Sequence, residues 1–201
     1  MSMPGAPGLQ QVRYLAMASD TENIWGGISP VHLQNLEFLE SDEYDVWLDI
    51  RTTGKVFVFG ELEKLELHRG VRSTTLLDSL SICQFPRLKS LAINKTVSGT
   101  SDDYIELHRI QAAIDAPNVV DIWLGGISCC GEEPAEFVKA FPKLRNLAIE
   151  AVRSYQGVTF FKPWLRQLEH MCVQVSKGLL YSTPGFLAML WRGLSRCNVT
   201  I

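Results

Sequence analysis

The chain has 201 residues, of which 46% are hydrophobic and 20% are charged, and its net charge at pH 7 is −3. This composition is typical of a folded domain with a substantial core, and it excludes a solvated, disordered chain. The slightly acidic balance offers no basic surface for nucleic acid or for an anionic membrane, so we expect neither as a partner.

The cysteines and the apolar runs bear on the compartment. Five cysteines are scattered through apolar stretches without a CxxC pair, which is typical of a protein in a reducing compartment. No apolar run approaches the roughly 20 residues of a membrane helix. Residues 1–8 are rich in Pro and Gly and lack a secretion leader, so we predict a flexible tail there. Together these features predict a cytoplasmic or nuclear protein.

A short apolar phrase recurs along the chain. It consists of an apolar residue, two variable residues, a second apolar residue, one variable residue and a third apolar residue, and successive copies start 24 to 31 residues apart. Such a step is what one strand and its return segment occupy, so the phrase predicts a stacked repeat. The six copies are Leu33-Leu36-Phe38, Leu62-Leu65-Leu67, Leu88-Leu91-Ile93, Val119-Ile122-Leu124, Leu144-Leu147-Ile149 and Leu168-Met171-Val173, and a weaker copy, Val12-Leu15-Met17, precedes them.

The segments between the phrases contain helix and turn signals. Proline cannot continue a helix and favours an extended predecessor, so a proline shortly before a phrase predicts a helix end and a strand entry. Apolar residues three or four apart predict the helices themselves, with Ser101 as the N-cap of the second. The prolines are Pro86, Pro117, Pro142 and Pro163, and the predicted helices lie within 73–84, 101–116, 133–141 and 183–194.

One stretch departs from this repeat. Residues 46–51 and 56–59 form two runs rich in aromatic and β-branched residues on either side of a turn at Gly54. The pattern predicts a β-hairpin inserted at 46–59 in place of a helix. An irregular return loop is the alternative.

Strand-then-helix units in series predict an α/β fold with a parallel sheet. Stacked in order, the units would form a solenoid arc with the sheet on the inner face and helices and loops on the outer face. We expect a single domain of about seven units over residues 9–201. The apolar phrase positions would then form ladders in the core, and the residues that alternate with them would point out of the inner face.

Two copies carry a family resemblance. Residues 85–93 read FPRLKSLAI and residues 141–149 read FPKLRNLAI. These phrases resemble irregular leucine-rich repeats, and they are similar to those in the C-terminal regions of large fungal F-box-type protein families; the resemblance covers roughly residues 33–175. It implies a leucine-rich-repeat-like solenoid that serves as the substrate-recognition part of an F-box-like ubiquitin-ligase adaptor. The sequence departs from the pattern because it lacks the buried Asn of regular repeats and an F-box module ahead of them.

Motifs for catalysis or ligand binding are weak. Gly126 and Gly131 have the spacing of a phosphate-binding loop, but Glu132 stands where such a loop needs Lys and would repel a polyphosphate. The four histidines lack metal-ligand spacing, and no Ser/His/Asp arrangement is visible. We therefore predict no catalytic residue, no cofactor and no metal. An α/β enzyme with a small-ligand site at the Gly125–Gly131 turn is the competing hypothesis.

The remaining candidate is the inner face of the predicted sheet. The alternate positions, taken in register, put Trp123 at the centre between Ala92 and Ala148. A large aromatic side chain beside small ones and among polar ones is typical of a binding hot spot. The alternative is that Trp123 packs under a loop. The predicted partner-binding residues are Trp123, Asp121, Lys64, Glu66, Asn146 and Glu150.

These observations favour a non-enzymatic protein–protein recognition module. The alternatives are the α/β enzyme and a truncated repeat protein without retained activity. The sheet discriminates between them, because helices on one face favour the repeat module and helices on both faces favour the enzyme.

Overall fold

Strands predominate over helices in the described part of the chain. The computed structural model describes residues 13–17, 36–41, 56–67, 73–93, 104–130, 133–155, 167–175 and 198–200. No helix within these ranges is long and apolar enough to cross a membrane. The elements are β1 (Tyr14–Met17), β2 (Phe38–Ser41), β3 (Phe57–Val58), β4 (Lys64–Leu67), α1 (Ser73–Leu80), β5 (Cys83–Gln84), β6 (Ser90–Ile93), β7 (Ile105–Glu106), α2 (Leu107–Ala113), β8 (Asp121–Gly125), β9 (Ile127–Cys130), α3 (Glu133–Ala140), β10 (Asn146–Tyr155), β11 (His170–Val175) and β12 (Asn198–Thr200).

The main sheet is parallel, and its strands follow one another in chain order. Its path runs β1-β2-β4-β6-β8-β10-β11-β12, and each neighbouring pair is parallel. A parallel neighbour needs a crossover connection, which α2 and α3 provide between β6 and β8 and between β8 and β10. The expected class, mixed α/β with a parallel sheet, is confirmed.

The register joins the predicted apolar positions into ladders. The central ladder runs through Leu65, Leu91, Ile122, Leu147 and Met171, which are paired strand to strand. All five side chains are buried. A second ladder joins Leu67, Ile93, Leu124 and Ile149, which are buried as well. The prediction that Leu91 and Leu147 are buried ladder residues is confirmed.

The first full copy of the phrase was assigned three residues too early. The partner of Leu65 in β2 is Leu39, where the phrase Leu33-Leu36-Phe38 had put Leu36. The sequence allows both choices, because Leu36 and Leu39 are themselves three residues apart. The backbone decides between them: the carbonyl of Glu37 accepts the N–H of Lys64 at 3.0 Å, as the carbonyl of Glu63 accepts that of the next strand. The weaker copy was assigned correctly, since Leu15 pairs with Leu39.

Three strand entries are built by the same proline turn. The N–H of Leu88 donates to the carbonyl of Phe85 at 3.3 Å across the turn that contains Pro86. Proline suits the second position of such a turn because its φ is already set. The same bond joins Val119 to Ala116 and Leu144 to Phe141 around the other two prolines. The predicted strand entry is confirmed at all three prolines, and the predicted helix end at Pro117 and Pro142, whereas Pro86 follows β5. Pro163 lies outside the described residues.

The described helices pack on the ladder side of the sheet. Side chains from all three share one buried cluster with the ladders: Leu77 and Leu80 of α1, Leu107 and Ile110 of α2, and Phe137 and Val138 of α3. The predicted helix at 101–116 is shorter than expected. It begins at Leu107 with Glu106 at the N-cap, so the assignment of Ser101 as the cap was wrong. The predicted helix at 183–194 lies outside the described residues.

A second, two-stranded sheet includes part of the expected hairpin. Within 46–59, the described residues 56–59 contain β3, which pairs in parallel with β5; the first run lies outside the described part. The N–H of Phe59 donates to the carbonyl of Gln84 at 2.9 Å. The ring of Phe59 also stacks on Phe85, with centroids 5.2 Å apart. The described half of the expected hairpin is thus held by a strand that follows α1.

Candidate functional site

Side chains that alternate with the buried ladders form the other face of the sheet. We call this surface the open face. Strand side chains alternate between faces, so residues on either side of a ladder residue project away from the core. The open face comprises Lys64 and Glu66 of β4, Ser90 and Ala92 of β6, Asp121 and Trp123 of β8, Asn146 and Ala148 of β10, and His170 and Cys172 of β11.

A recess of about 440 Å³ lies across these five strands, and all ten open-face residues line it. The parallel register brings together side chains that are far apart in sequence. Lys64, Asp121 and His170 occupy the same row of the sheet, for example. A concave surface with an apolar centre and a few polar groups has the general composition of a binding site.

Trp123 lies at the centre of the recess. Its register neighbours are Ala92 on β6 and Ala148 on β10. The indole side chain is 37% exposed, which is high for so large an apolar group. Packing of Trp123 under a loop, the alternative from the sequence, would have buried the ring, whereas the ring is exposed in the structure.

Asp121 and Asn146 form a polar pair beside this ring. Asn146 Nδ2 donates a hydrogen bond to Asp121 Oδ1 across the two strands. This contact also fixes the orientation of the amide, because the amide oxygen in that place would face the carboxylate as a second acceptor. Asn146 Oδ1 is therefore an acceptor, and it is buried without a hydrogen-bond partner. An unsatisfied buried polar atom costs about 1–3 kcal/mol, so it is an uncommon feature of a native structure.

The charges of the recess are unevenly compensated. Lys64 Nζ lies 2.6 Å from Glu66 Oε1 on the same strand, so these two charges neutralise each other locally. Asp121 is half-buried, and within the described ranges its carboxylate makes no ion pair and accepts one hydrogen bond, from the amide of Asn146. The recess thus retains one carboxylate without a cation.

The structure brings together five of the six predicted partner-binding residues. Trp123, Asp121, Lys64, Glu66 and Asn146 all line the recess. Glu150 is in register with Gly125, two residues beyond Ala148 on β10, and its side chain lies outside the described part of the structure.

The recess is also lined by His170 and Cys172, which are not among the predicted partner-binding residues. They lie on β11, at the positions in register with Asn146 and Ala148. Both alternate with the apolar residues of the phrase Leu168-Met171-Val173, so the sequence places them on the same face.

The competing small-ligand site at Gly125–Gly131 has a different backbone from the expected turn. Gly126 does turn the chain, with a φ of 66°, a value that favours glycine. The turn leads directly into β9. Residues of β9 pair with β7 and with the second half of β10. A strand paired on both sides uses its amides in the sheet and leaves few for a phosphate; Gly131 lies outside the described residues.

The thiol of Cys83 is buried in the core of the described structure. Burial raises the pKa of the Cys83 thiol from 9.0 to about 12, and its Sγ lies 3.2 Å from the carbonyl of Ser79. A thiol in this state is a poor nucleophile. Within the described ranges, no three His, Cys, Asp or Glu side chains are grouped in a way that could hold a metal ion.

Fold and site together define an α/β protein whose parallel sheet is covered by the described helices on one face and carries a lined recess on the other. No protein-family model matches the chain, and no curated protein sequence matches it either. The function of the chain is therefore inferred from the residues of the open face.

Proposed function

We propose that this chain is a non-enzymatic protein–protein recognition module that binds its partner through the open face. Its architecture would be a leucine-rich-repeat-like solenoid arc. Three regularities support this architecture: strand order follows chain order, the same proline turn precedes three strands, and one backbone arrangement recurs at the strand entries. In that arrangement a carbonyl accepts two successive N–H groups of the following strand; the carbonyls are those of Glu37, Glu63, Lys89, Val120 and Arg145.

The resemblance to fungal F-box-type proteins adds a specific role to this proposal. The residues that carry it, 85–93 and 141–149, form two of the proline turns with their strands β6 and β10. We propose that the chain acts as the substrate-recognition part of an F-box-like ubiquitin-ligase adaptor. The bound substrate would then be a protein.

The observation that carries the proposal is the exposure of Trp123 on a sheet face that the described helices leave open. An enzyme with a doubly wound sheet has helices on both faces, and its ligand binds at the carboxyl ends of the strands. Here α1, α2 and α3 share their core with one face, and the recess spans the width of five strands on the other. A broad, shallow surface of this kind suits a polypeptide better than a small substrate.

The test compares two exposed apolar side chains of similar accessibility. Trp123 is 37% exposed on the open face, and Val58 is 41% exposed on β3, away from it. Proteins cross-linked to the parent chain in the source cell are identified by mass spectrometry, and the dissociation constant of the captured partner is measured for each variant. Trp123→Ala should weaken binding by about 2 kcal/mol or more, which is a factor of about 30, while Val58→Ala should leave it unchanged.

Both variants should keep the far-ultraviolet circular dichroism spectrum and unfolding midpoint of the parent. Equal binding by Trp123→Ala and the parent would show that the open face is not the binding site. Unfolding of Trp123→Ala would show that the ring belongs to the core, against the register found for β8.

A further inference from the structure

We propose that the recess receives an arginine side chain of the bound partner, with its guanidinium group stacked on Trp123 and hydrogen-bonded to Asp121. This inference rests on the proposed function, because it names the chemistry of the group that the open face recognises. It is carried by the charge, the hydrogen-bonding capacity and the aromatic surface of the recess.

The charge of the recess favours a cation. Lys64 is held by Glu66 at 2.6 Å and leaves no net charge on β4. Asp121, two strands away in the same row, has no cationic partner in the described part of the chain. Because Asp121 is half-buried, its charge is less screened than that of a surface carboxylate. A partner that brings a positive charge beside it is therefore favoured over a neutral or acidic one.

The hydrogen-bonding groups of the recess favour a guanidinium in particular. One oxygen of Asp121 already accepts from Asn146 Nδ2, which leaves Oδ2 as an acceptor. Arginine carries five N–H donors and no acceptor, so it can donate to Oδ2 without adding an unpaired acceptor of its own. An aliphatic anchor would cover this carboxylate without satisfying it.

The position of Trp123 fits the flat shape of the same group. Trp123 follows Asp121 by two residues on one strand, so their Cα atoms are about 6.6 Å apart and their side chains lie on one face. The small side chains of Ala92 and Ala148 lie in register on either side of Trp123. Guanidinium groups stack on aromatic rings and bond carboxylates through one edge, which an ammonium group cannot do.

The first experiment uses short peptides as probes of the whole chain. Acetyl-Gly-Arg-Gly-amide is titrated against the isotope-labelled protein, and the indole N–H resonance of Trp123 is followed by NMR after assignment with Trp123→Phe. Peptides with citrulline, lysine or leucine in the central position serve as controls, because citrulline has nearly the shape of arginine without its charge. We expect a saturable shift with arginine and at least about tenfold weaker binding of the citrulline peptide.

Two matched variants test whether Asp121 is the carboxylate involved. Asp121→Asn removes the charge but keeps an oxygen that can accept from Asn146. It should weaken binding of the arginine peptide about tenfold and leave binding of the leucine peptide unchanged. Glu136→Gln removes an exposed carboxylate of α3 that lies off the open face, and it should change neither. Three results would each overturn the proposal: equal binding of the arginine and citrulline peptides, no saturable shift with the arginine peptide, or an unchanged affinity of Asp121→Asn for the arginine peptide.

The partner-capture assay separates this inference from the proposed function. If Trp123→Ala weakens the captured partner and Asp121→Asn does not, the open face binds a protein but the arginine inference is wrong. If neither variant weakens capture, the proposed function itself fails. If both weaken capture, individual arginines of the partner are replaced by lysine. One of these replacements should then weaken binding as much as Asp121→Asn does.

Discussion

Truncating Leu91 to alanine tests the assignment of the core in the centre of the sheet. Leu91 is 1% exposed and lies in the ladder between Leu65 and Ile122, both of them buried. Neighbours on both sides restrict the collapse of the surroundings into the space left by the substitution. The substitution should therefore lower the free energy of unfolding through the cavity that remains as well as through the lost apolar burial.

The expected magnitude follows from these two terms. The substitution removes three buried carbon atoms, worth about 2.4 kcal/mol at about 0.8 kcal/mol for each. A residual cavity of about 50 Å³ would add about 1.2 kcal/mol at about 24 cal/mol per Å³. We therefore expect the free energy of unfolding to fall by about 3.6 kcal/mol, within the range of about 2.7–5.0 kcal/mol found for buried leucines.

The assay is urea unfolding followed by circular dichroism, with hydrogen exchange of backbone amides as a second measurement. Val58→Ala is the control, because it shortens an exposed side chain and should cost less than about 0.5 kcal/mol. Exchange in Leu91→Ala should accelerate in β4 and β8 as well as in β6, since each strand is supported by its neighbours. A Leu91→Ala variant within about 0.5 kcal/mol of the parent would refute the assigned ladder.

Two further predictions concern buried polar groups. Because the Cys83 thiol ionises near pH 12 in the folded chain and near 9.0 when unfolded, unfolding releases a proton between these values, and stability should decline there as pH rises. The decline should be smaller in Cys83→Ala, as measured by urea unfolding of both proteins from pH 8 to 11, and equal slopes would contradict the assigned burial. Gln167 Nε2 lies 2.9 Å from the carbonyl of Phe141 and 3.3 Å from that of Val138, so Gln167→Glu should replace a donor by an acceptor and lower stability by about 1–3 kcal/mol. Glu136→Gln is its control in thermal unfolding, and an equally small effect of both would contradict the role of Gln167 at the end of α3.

The apolar phrase predicted most of the sheet because a buried parallel strand leaves a strong sequence signal. Residues of the ladders must be apolar at every repeat, and the proline turns set where each strand begins. Leu91, Leu147 and Trp123 were therefore assigned to the correct faces from spacing alone. The same signal failed at β2, where Leu36 and Leu39 satisfy the pattern equally and only the hydrogen bonds to β4 distinguish them.

The connecting segments were predicted less well, because their structure depends on distant partners. Residues 56–59 have the composition of a strand, and the partner found for β3 is β5, about 25 residues further on, while the nearby Phe59 ring stacks on Phe85. The other run of the expected hairpin lies outside the described residues. Likewise, the chain after Gly126 extends as β9 because β7 and β10 offer it hydrogen-bonding edges. Local propensity contains no information about such edges.

The sequence alone determined the alternation of the strands, and with it the membership of the open face. The period of two that buries Ile122 and Leu124 necessarily turns Asp121 and Trp123 to the other side. Only the tertiary structure decided what these side chains do there. It packed the described helices against the ladders, joined Asn146 to Asp121 across two strands, and left Asn146 Oδ1 without a partner. These properties depend on distances between residues about 25 positions apart, and a spacing pattern specifies neighbours in register but not the hydrogen bonds that their side chains make.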